Sequence, residues 1–468
     1  MILSKNLFLL IGIIQFLVGL YGFFNGKNDL LLLNLLINWL VSLVFAYQKK
    51  QNTIIYFFFL ITFFVFLLGQ DVILKIFKYV TLSEINIYEF SDKIQSHVYF
   101  CLHLSLFFTS LGVLYKLPKI NDIHIGLPIK NRDYLLYLTY RIFRYAVFFK
   151  YLSNAILAYN TIIYGYAIID DDRIQGGYLL AKLAQLADIS FIAFLLLAPS
   201  KQQLLRPLCL FLGASVLSLL GGARGDLMYE LLFIFVYLFF RDYISKRNNR
   251  WNEVFISKRL LICLFVTAPF LLIFLNLYAS IRQNADVISN GILGDFLGFF
   301  IQQGGSYNLI GYTEEYKWSL PNTNISYTFG PLLERIEPFR SNYLQPDPQT
   351  YDAYYGNNLG STITCLVVPN YYYSGGGFGT QYIAEIYADF GYYGIAFFSF
   401  ILGILLSKAI FFNSRNWIFA VLFATTIPSI LSMPRDFYMT FVTKIFSIWN
   451  IIFLIIIKYY ANKKVNPR

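Results

Sequence analysis

Charge is scarce in this chain. Only 13% of its 468 residues are Asp, Glu, Lys or Arg, while 57% are hydrophobic. Soluble domains carry about 25% charged residues, so a water-soluble globular fold is excluded. Cysteine and histidine are scarcer still, at four and three residues. Cys101, Cys209 and Cys263 fall in apolar runs, where a thiol acts as a small hydrophobe, and Cys365 stands alone in a polar segment. This leaves no disulfide framework and no zinc-ligand spacing. His97, His103 and His124 read as standing apart from carboxylates and cysteines. A zinc site or a Ser-His-Asp mechanism is therefore not expected, and neither a metal nor a cofactor is assigned. Sequence repeats of 20–50 residues and low-complexity tracts are also missing.

What the chain has instead is long apolar stretches, rich in Phe and Tyr. Runs long enough to cross a bilayer lie near 6–24, 29–47, 53–69, 94–115, 142–167, 178–198, 204–220, 225–240, 260–280, 380–407, 416–432 and 437–457. The expected fold is all-α: a polytopic membrane protein with about twelve transmembrane helices and one large outer loop. The first run is long and lacks a small-residue cleavage site, so it reads as a retained span. The less apolar stretch 71–93 reads as a helix lying on the membrane surface.

The net charge of +11 raises the question of nucleic acid. The basic residues fall in loops, however, which fits membrane topology and not nucleic-acid binding. They crowd into 116–141 and 241–259, with smaller groups at Lys49-Lys50 and in the tail from Lys458. The alternate connections 25–28 and 168–177 are poor in Lys and Arg. With twelve spans, all basic segments and both termini share one side, which the positive-inside rule makes the cytoplasm. The chain then has three parts: spans one to nine over 1–280, an outer loop over 281–379, and spans ten to twelve with the tail over 380–468. The loop is rich in Tyr, Asn, Gly and Pro. A loop of this length is expected to fold and to have a role, and its side chains suit sugar faces and hydroxyls.

Two arginines sit where short apolar runs break. In "SLLGGARGDLMYELL" the run from Leu204 to Leu220 stops at Gly221-Gly222, and Arg224 and Asp226 come next. Seventeen residues make about 25 Å of helix against a hydrocarbon core near 30 Å. Arg224 is thus expected at the level of the outer leaflet, where a charge is costly unless functional or paired. "ILSMPRDFYMTF" repeats the arrangement, with Pro434 as the break and Arg435-Asp436 after it. Each aspartate can cap the next helix. Each helix start offers free N–H groups and the positive end of a dipole. Arginines at two such starts suit bidentate binding of a diphosphate. A snorkelling arginine, or an Arg224–Asp226 pair, is the plainer alternative.

A third helix start lies in "YYYSGGGFGTQYIAEIYADFGYYG" (Tyr371–Gly394). Its glycines match neither a dinucleotide nor a Walker fingerprint. Glu385 and Asp389 are four apart and share a helix face. They suit binding of sugar hydroxyls, or one of them suits a base. The bland alternative is a solvated outer turn with acids near a helix N-terminus. Arg282, in "LYASIRQN", falls just outside a span.

Together "GGARGD", the large outer loop, the glycine-rich helix start and "MPRDF" resemble the O-antigen and enterobacterial-common-antigen polymerases, the Wzy class of GT-C-like membrane glycosyltransferases. The resemblance covers roughly 204–445. It implies a bacterial inner-membrane enzyme that joins lipid-linked repeat units on the periplasmic side without a nucleotide sugar or an essential metal. It implies an undecaprenyl-diphosphate-linked oligosaccharide as partner, with membrane lipid, a Wzz-type chain-length regulator and a flippase, and no nucleic acid. Arg224 matches the Gly-Gly-x-Arg position, Arg435 the arginine before the last span, and Glu385 the acid after the glycine-rich stretch. Arg224 and Arg435 are then expected to bind diphosphate, with Arg282 as an auxiliary cation and Glu385 as acceptor binder or base. A flippase is the rival from another class, although no pair of related halves is visible. A ligase is the nearest enzymatic rival, although its outer loop would carry a histidine and 281–379 has none.

Overall fold

The structure is a computed structural model describing residues 3–77, 90–115, 117, 131–164, 177–222, 224–282, 291–321, 327–336, 348–407 and 416–463. Every regular element among them is helical. The first ten helices are α1 (Lys5–Phe24), α2 (Asn28–Gln48), α3 (Lys50–Phe63), α4 (Gly69–Phe77), α5 (Asp92–Tyr115), α6 (Arg132–Tyr164), α7 (Tyr178–Leu196), α8 (Lys201–Leu220), α9 (Arg224–Arg247) and α10 (Lys258–Arg282). Short helices come next: α11 (Gly291–Gly304), α12 (Asn308–Glu315), α13 (Gly330–Ile336), α14 (Pro348–Tyr355), α15 (Leu359–Val367) and α16 (Pro369–Tyr373). After them stand the long α17 (Tyr382–Ser407) and helices at Trp417–Ala424, Ile427–Ser432, Thr440–Ile445 and Ile448–Lys463.

Among the described residues, nine stretches are long and apolar enough to cross a membrane, and a bent pair, Trp251–Leu264 with Val266–Phe274, makes a tenth if it is one span. The sequence count of twelve also included 142–167 and 225–240. Helices α6 and α9 do form there. Lys150, Asn154 and Asn160 in the one, and Asp226, Glu230 and Arg241 in the other, make these helices less apolar than the nine. The segment 281–379 is built of short helices where it is described; 283–290, 322–326 and 337–347 lie outside the described residues. So do 78–89, most of the basic stretch 116–141 with His124, and the tail from 464.

The chain divides into two compact units. The first comprises 1–120, 300–409 and 429–443; the second comprises 121–299, 410–428 and 444–468. In the first unit α5 and α17 run against each other with almost nothing between them. A Cβ on Gly112 would meet Phe400 O at 2.1 Å, and one on Gly403 would meet Thr109 O at 2.0 Å. Close approach through small residues is how helices associate where lipid removes the hydrophobic drive. Polar contacts cross the same seam: Tyr382 OH lies 2.6 Å from Ser105 Oγ, and Ser399 Oγ donates to Ser105 Oγ at 2.9 Å. Helix α17 is broken at Gly391, whose φ of 61° and ψ of −156° suit glycine alone.

In the second unit α6 packs along α7 and α8. Helix α8 starts on a capping box, Ser200 with Gln203, and contains Pro207. It ends at the glycines Gly221 and Gly222, the latter at φ 86°. The left-handed conformation that glycine tolerates lets the chain turn there within three residues before α9 begins.

Candidate functional site around Arg435

In the first unit three irregular turns meet. Helix α3 runs into a π-helical turn, Phe64–Leu68, before α4. This turn packs against two 3₁₀ turns, Gly305–Tyr307 and Met433–Arg435. Wide and tight turns of this kind depart from the regular backbone ladder and recur at functional sites. Arg435 ends the last of them and is exposed. Its Nη1 donates to Gln303 Oε1, at the end of α11, and its guanidinium carbon stands 5.8 Å from the Phe66 ring centroid. An amide acceptor and an aromatic face aim the guanidinium without neutralising it. Next to Phe66, Gln70 is 4% exposed, and its Oε1 has no hydrogen-bond partner. Gly304 and Gly305 lie against it.

Pro434 ends the preceding helix as expected, and Asp436 organises the residues after the turn. Its carboxylate accepts from Phe437 N at 2.7 Å, Ser432 Oγ at 3.0 Å and Thr440 Oγ1 at 3.4 Å. Glu385 completes the turn from the other side. It is fully buried in the first turn of α17, a helix capped by Gln381, whose Oε1 accepts from Ala384 N. Glu385 Oε1 accepts from Thr380 Oγ1 at 2.5 Å, and Oε2 accepts from Tyr438 N at 3.1 Å. The carboxylate thus ties the glycine-rich helix start to the chain three residues after Arg435. Asp389, one turn on, accepts from Tyr327 N at 3.1 Å and Thr328 N at 2.6 Å. The shared face expected of Glu385 and Asp389 is therefore used to gather backbone amides from two separate segments.

Sequence reasoning misses the neighbouring cluster on the opposite side of α17. Glu314 Oε2 accepts from Tyr387 OH at 2.6 Å and Glu314 Oε1 from Lys317 Nζ at 3.0 Å. Burial opposes its charge, but the Tyr387 and Lys317 hydrogen bonds outweigh it and hold Glu314 below the usual carboxylate value. His97 lies 2.7 Å from Tyr392 OH, and its Nε2 is 3.5 Å from Cys101 Sγ. His97 is thus not apart from every cysteine, contrary to expectation. The i, i+4 spacing on α5 brings the two together, and that spacing is the available signal. Among the described residues, no three His, Cys, Asp or Glu side chains stand in metal-ligating arrangement.

The second unit holds the other two arginines. Arg224 is the first residue of α9 and Arg282 the last of α10. The side chains of Arg224, Asp226 and Arg282 lie outside the described residues. Helix α6 meets α8 and its turn: Asn154 Nδ2 donates to Ala214 O within α8 at 2.7 Å, and Thr161 Oγ1 shares its hydrogen between Leu157 O at 2.8 Å and Gly221 O at 3.2 Å. Beside the outer end of α8 is an apolar groove of about 310 Å³, lined by Gly213, Val216, Leu217, Leu220 and Phe274 among others. Tyr278 OH donates to Leu220 O at its rim. The structure therefore brings Glu385 and Arg435 into one site, and gives Arg224 a rigid turn beside a greasy channel.

No curated protein and no solved structure matches the chain. A family match does exist, and it extends well beyond the 204–445 segment that carried the resemblance. Residues 5–464, nearly the whole chain, match the family described as O-antigen polysaccharide polymerase Wzy, and the chain belongs to that family.

Proposed function

We propose that this Wzy-family polymerase transfers a growing glycan from undecaprenyl diphosphate to the non-reducing-end hydroxyl of an incoming lipid-linked repeat unit, on the periplasmic face of the bacterial inner membrane. The acceptor oxygen attacks the anomeric carbon. The bond to the diphosphate oxygen breaks, its electron pair leaves with the diphosphate, and the hydroxyl proton is released. Negative charge grows on the diphosphate as the bond breaks, so cations placed there stabilise the transition state more than the ground state.

The observation that carries this reading is Arg435: exposed, aimed by Gln303 and Phe66, and anchored through Tyr438 to a buried carboxylate. Arg224 and Arg435 are each assigned to binding the departing diphosphate, Arg282 is an auxiliary cation, and this set of arginines is the clamp. With arginines supplying the positive charge, the transfer proceeds without a metal. The groove beside α8 suits an isoprenoid chain whose head group lies at Arg224. Glu385, expected as acceptor binder or base, is assigned to holding the Arg435 turn, because both its oxygens accept hydrogen bonds from the protein. The unpartnered Gln70 Oε1 is an acceptor suited to a substrate hydroxyl.

The same reading keeps twelve spans with both termini cytoplasmic and 281–379 as a periplasmic domain. α6 and α9 are then spans in which Lys150 and Glu230 pair with each other. A flippase supplies the repeat units and a Wzz-type regulator sets chain length. The test is reconstitution. Purified protein in liposomes with a lipid-linked repeat unit is expected to build a ladder of longer glycans, unaffected by chelators. Arg224→Ala and Arg435→Ala are expected to abolish the ladder at normal expression. Full activity in both would remove the clamp. Transbilayer movement of the lipid without a ladder would make the protein a flippase.

A further inference from the structure

Lys150, Asp188 and Glu230 meet inside the second unit, from helices α6, α7 and α9. Lys150 Nζ donates to Asp188 Oδ1 at 2.6 Å and to Glu230 Oε1 at 2.8 Å. The Lys150 side chain is 10% exposed, Glu230's 18% and Asp188's 42%. Asp188 sits near the middle of α7, one of the nine apolar stretches. Charge at such depth is costly and is kept where it has a task. The second Glu230 oxygen, Oε2, is in hydrogen-bond contact with Ser215 Oγ on α8.

Two independent counts fail to close if all three groups carry charge. The first is electrical. One ammonium against two carboxylates leaves a negative charge unpaired in a low-dielectric interior. The second is of hydrogens. A serine hydroxyl has a single hydrogen. Ser215 Oγ stands 3.0 Å from Phe211 O, and it also contacts Glu230 Oε2. With bare acceptors on both sides the one hydrogen would have to be shared, leaving the contact to Glu230 underfilled. A proton on Glu230 Oε2 closes both counts. It is donated to Ser215 Oγ, whose own hydrogen goes to Phe211 O, while Lys150 pairs with Asp188. Asp188, the more exposed of the two acids, is the one able to keep its charge.

We infer that Glu230 is a proton-binding site within the membrane bundle, and that the neutral Lys150–Asp188–Glu230–Ser215 cluster is the anchor that positions Arg224. Ser215 lies five residues before the end of α8, and Glu230 six residues after Arg224, about 9 Å along the helix. The cluster joins both arms of the break. The α6 face that carries Lys150 continues outward as a row of donors: Tyr151 OH to Leu210 O at 3.0 Å, Asn154 to Ala214 O and Thr161 to Gly221 O. The row ends on the turn itself. The proton stands on the cluster's geometry alone, whereas the positioning role rests on the diphosphate reading of Arg224.

Infrared spectroscopy of the full-length protein in liposomes tests the first part. A carbonyl band of a protonated carboxylic acid is expected in the wild type and in the double variant Lys150→Met, Asp188→Asn, and is expected to vanish in Glu230→Gln. A spectrum without that loss overturns the proton. Glycan extension tests the second part. Glutamine reproduces the protonated acid, so Glu230→Gln is expected to keep activity within about twofold, whereas Asp188→Asn draws the proton off Glu230 to pair with Lys150, disturbs the Ser215 contact and is expected to lower kcat about tenfold or more at similar KM. The double variant Lys150→Met, Asp188→Asn removes both charges and guards against misfolding of the single one. It is expected to melt like the wild type and to recover much of the lost kcat. Equal damage from Glu230→Gln and Asp188→Asn overturns the asymmetry. An undamaged Asp188→Asn alongside an inactive Arg224→Ala overturns the positioning role. A fully active Arg224→Ala overturns the clamp while leaving the infrared assignment intact.

Discussion

The two arginine-bearing breaks look alike as sequence and are held in different ways. The Arg435 turn is held by acceptors: Glu385 takes Tyr438 N, Asp436 takes Phe437 N, and Gln303 takes the arginine itself. The turn before Arg224 is held by donors: the N–H groups of Gly221 and Gly222 on Ser218 O and Leu219 O, with Thr161 Oγ1 at Gly221 O and Asn154 steadying α8 earlier, at Ala214 O. The difference comes from the residues that interrupt each helix. Pro434 precedes a stretch of exposed amides, which need acceptors. Gly221 and Gly222 end α8 on carbonyls, which need donors and find them in the glycine N–H groups and Tyr278 OH. One turn therefore depends on a single buried carboxylate, while the other spreads its support over several weak bonds.

The largest effect that sharpens this contrast is on activity. Arg435→Ala is expected to cut glycan extension by about 100-fold or more, the scale of losing one charge-stabilising donor. Because Arg435 is exposed, the melting temperature in detergent should stay near that of the wild type. Next comes Glu385→Ala. It strands Thr380 Oγ1 and Tyr438 N in the interior, at about 1–3 kcal/mol for each unsatisfied group. Faster amide exchange is expected over 433–438, with a lower melting temperature. Glu385→Gln, which keeps an acceptor, should retain most of the activity; inactivity with normal stability would make Glu385 a chemical participant. At the Arg224 turn the single losses are smaller. Thr161→Val and Asn154→Ala are each expected to cost about 0.5–1.5 kcal/mol, adding when combined. A large loss from either one would erase the contrast. The smallest effect concerns Glu314. Its folded-state pKa lies below the ordinary 4.5, so the stability it contributes is complete above that value and is lost as pH falls through the depressed one. Glu314→Gln should flatten that acid limb of a melting-temperature curve.

Both breaks are legible in the sequence because glycine pairs and proline interrupt apolar runs whose lengths can be measured against a bilayer. Leu220 as the last residue of α8 and the helix start before Glu385 are read from the same marks. What aims Arg435 is not legible. Gln303 and Phe66 reach it from remote parts of the chain, through turns that exist only because three irregular segments pack together. Glu385 is visible as an acid near a helix start, but its complete burial depends on Tyr438, far along the chain. Lys150 shares its apolar stretch with Arg144, and nothing in the sequence marks it out. Its two acids come from other helices, and no spacing rule links them.

Gly391 has a consequence for how α17 fits a bilayer. Its 26 residues, if straight, would measure about 39 Å, well beyond a hydrocarbon core near 30 Å. The break leaves 392–407 as an arm of about 24 Å, shorter than that core, and lets the arm with Glu385 and Asp389 follow its own direction. One residue thereby divides the helix into a long apolar arm and a short arm whose carboxylates are committed to Thr380, Tyr438, Tyr327 and Thr328.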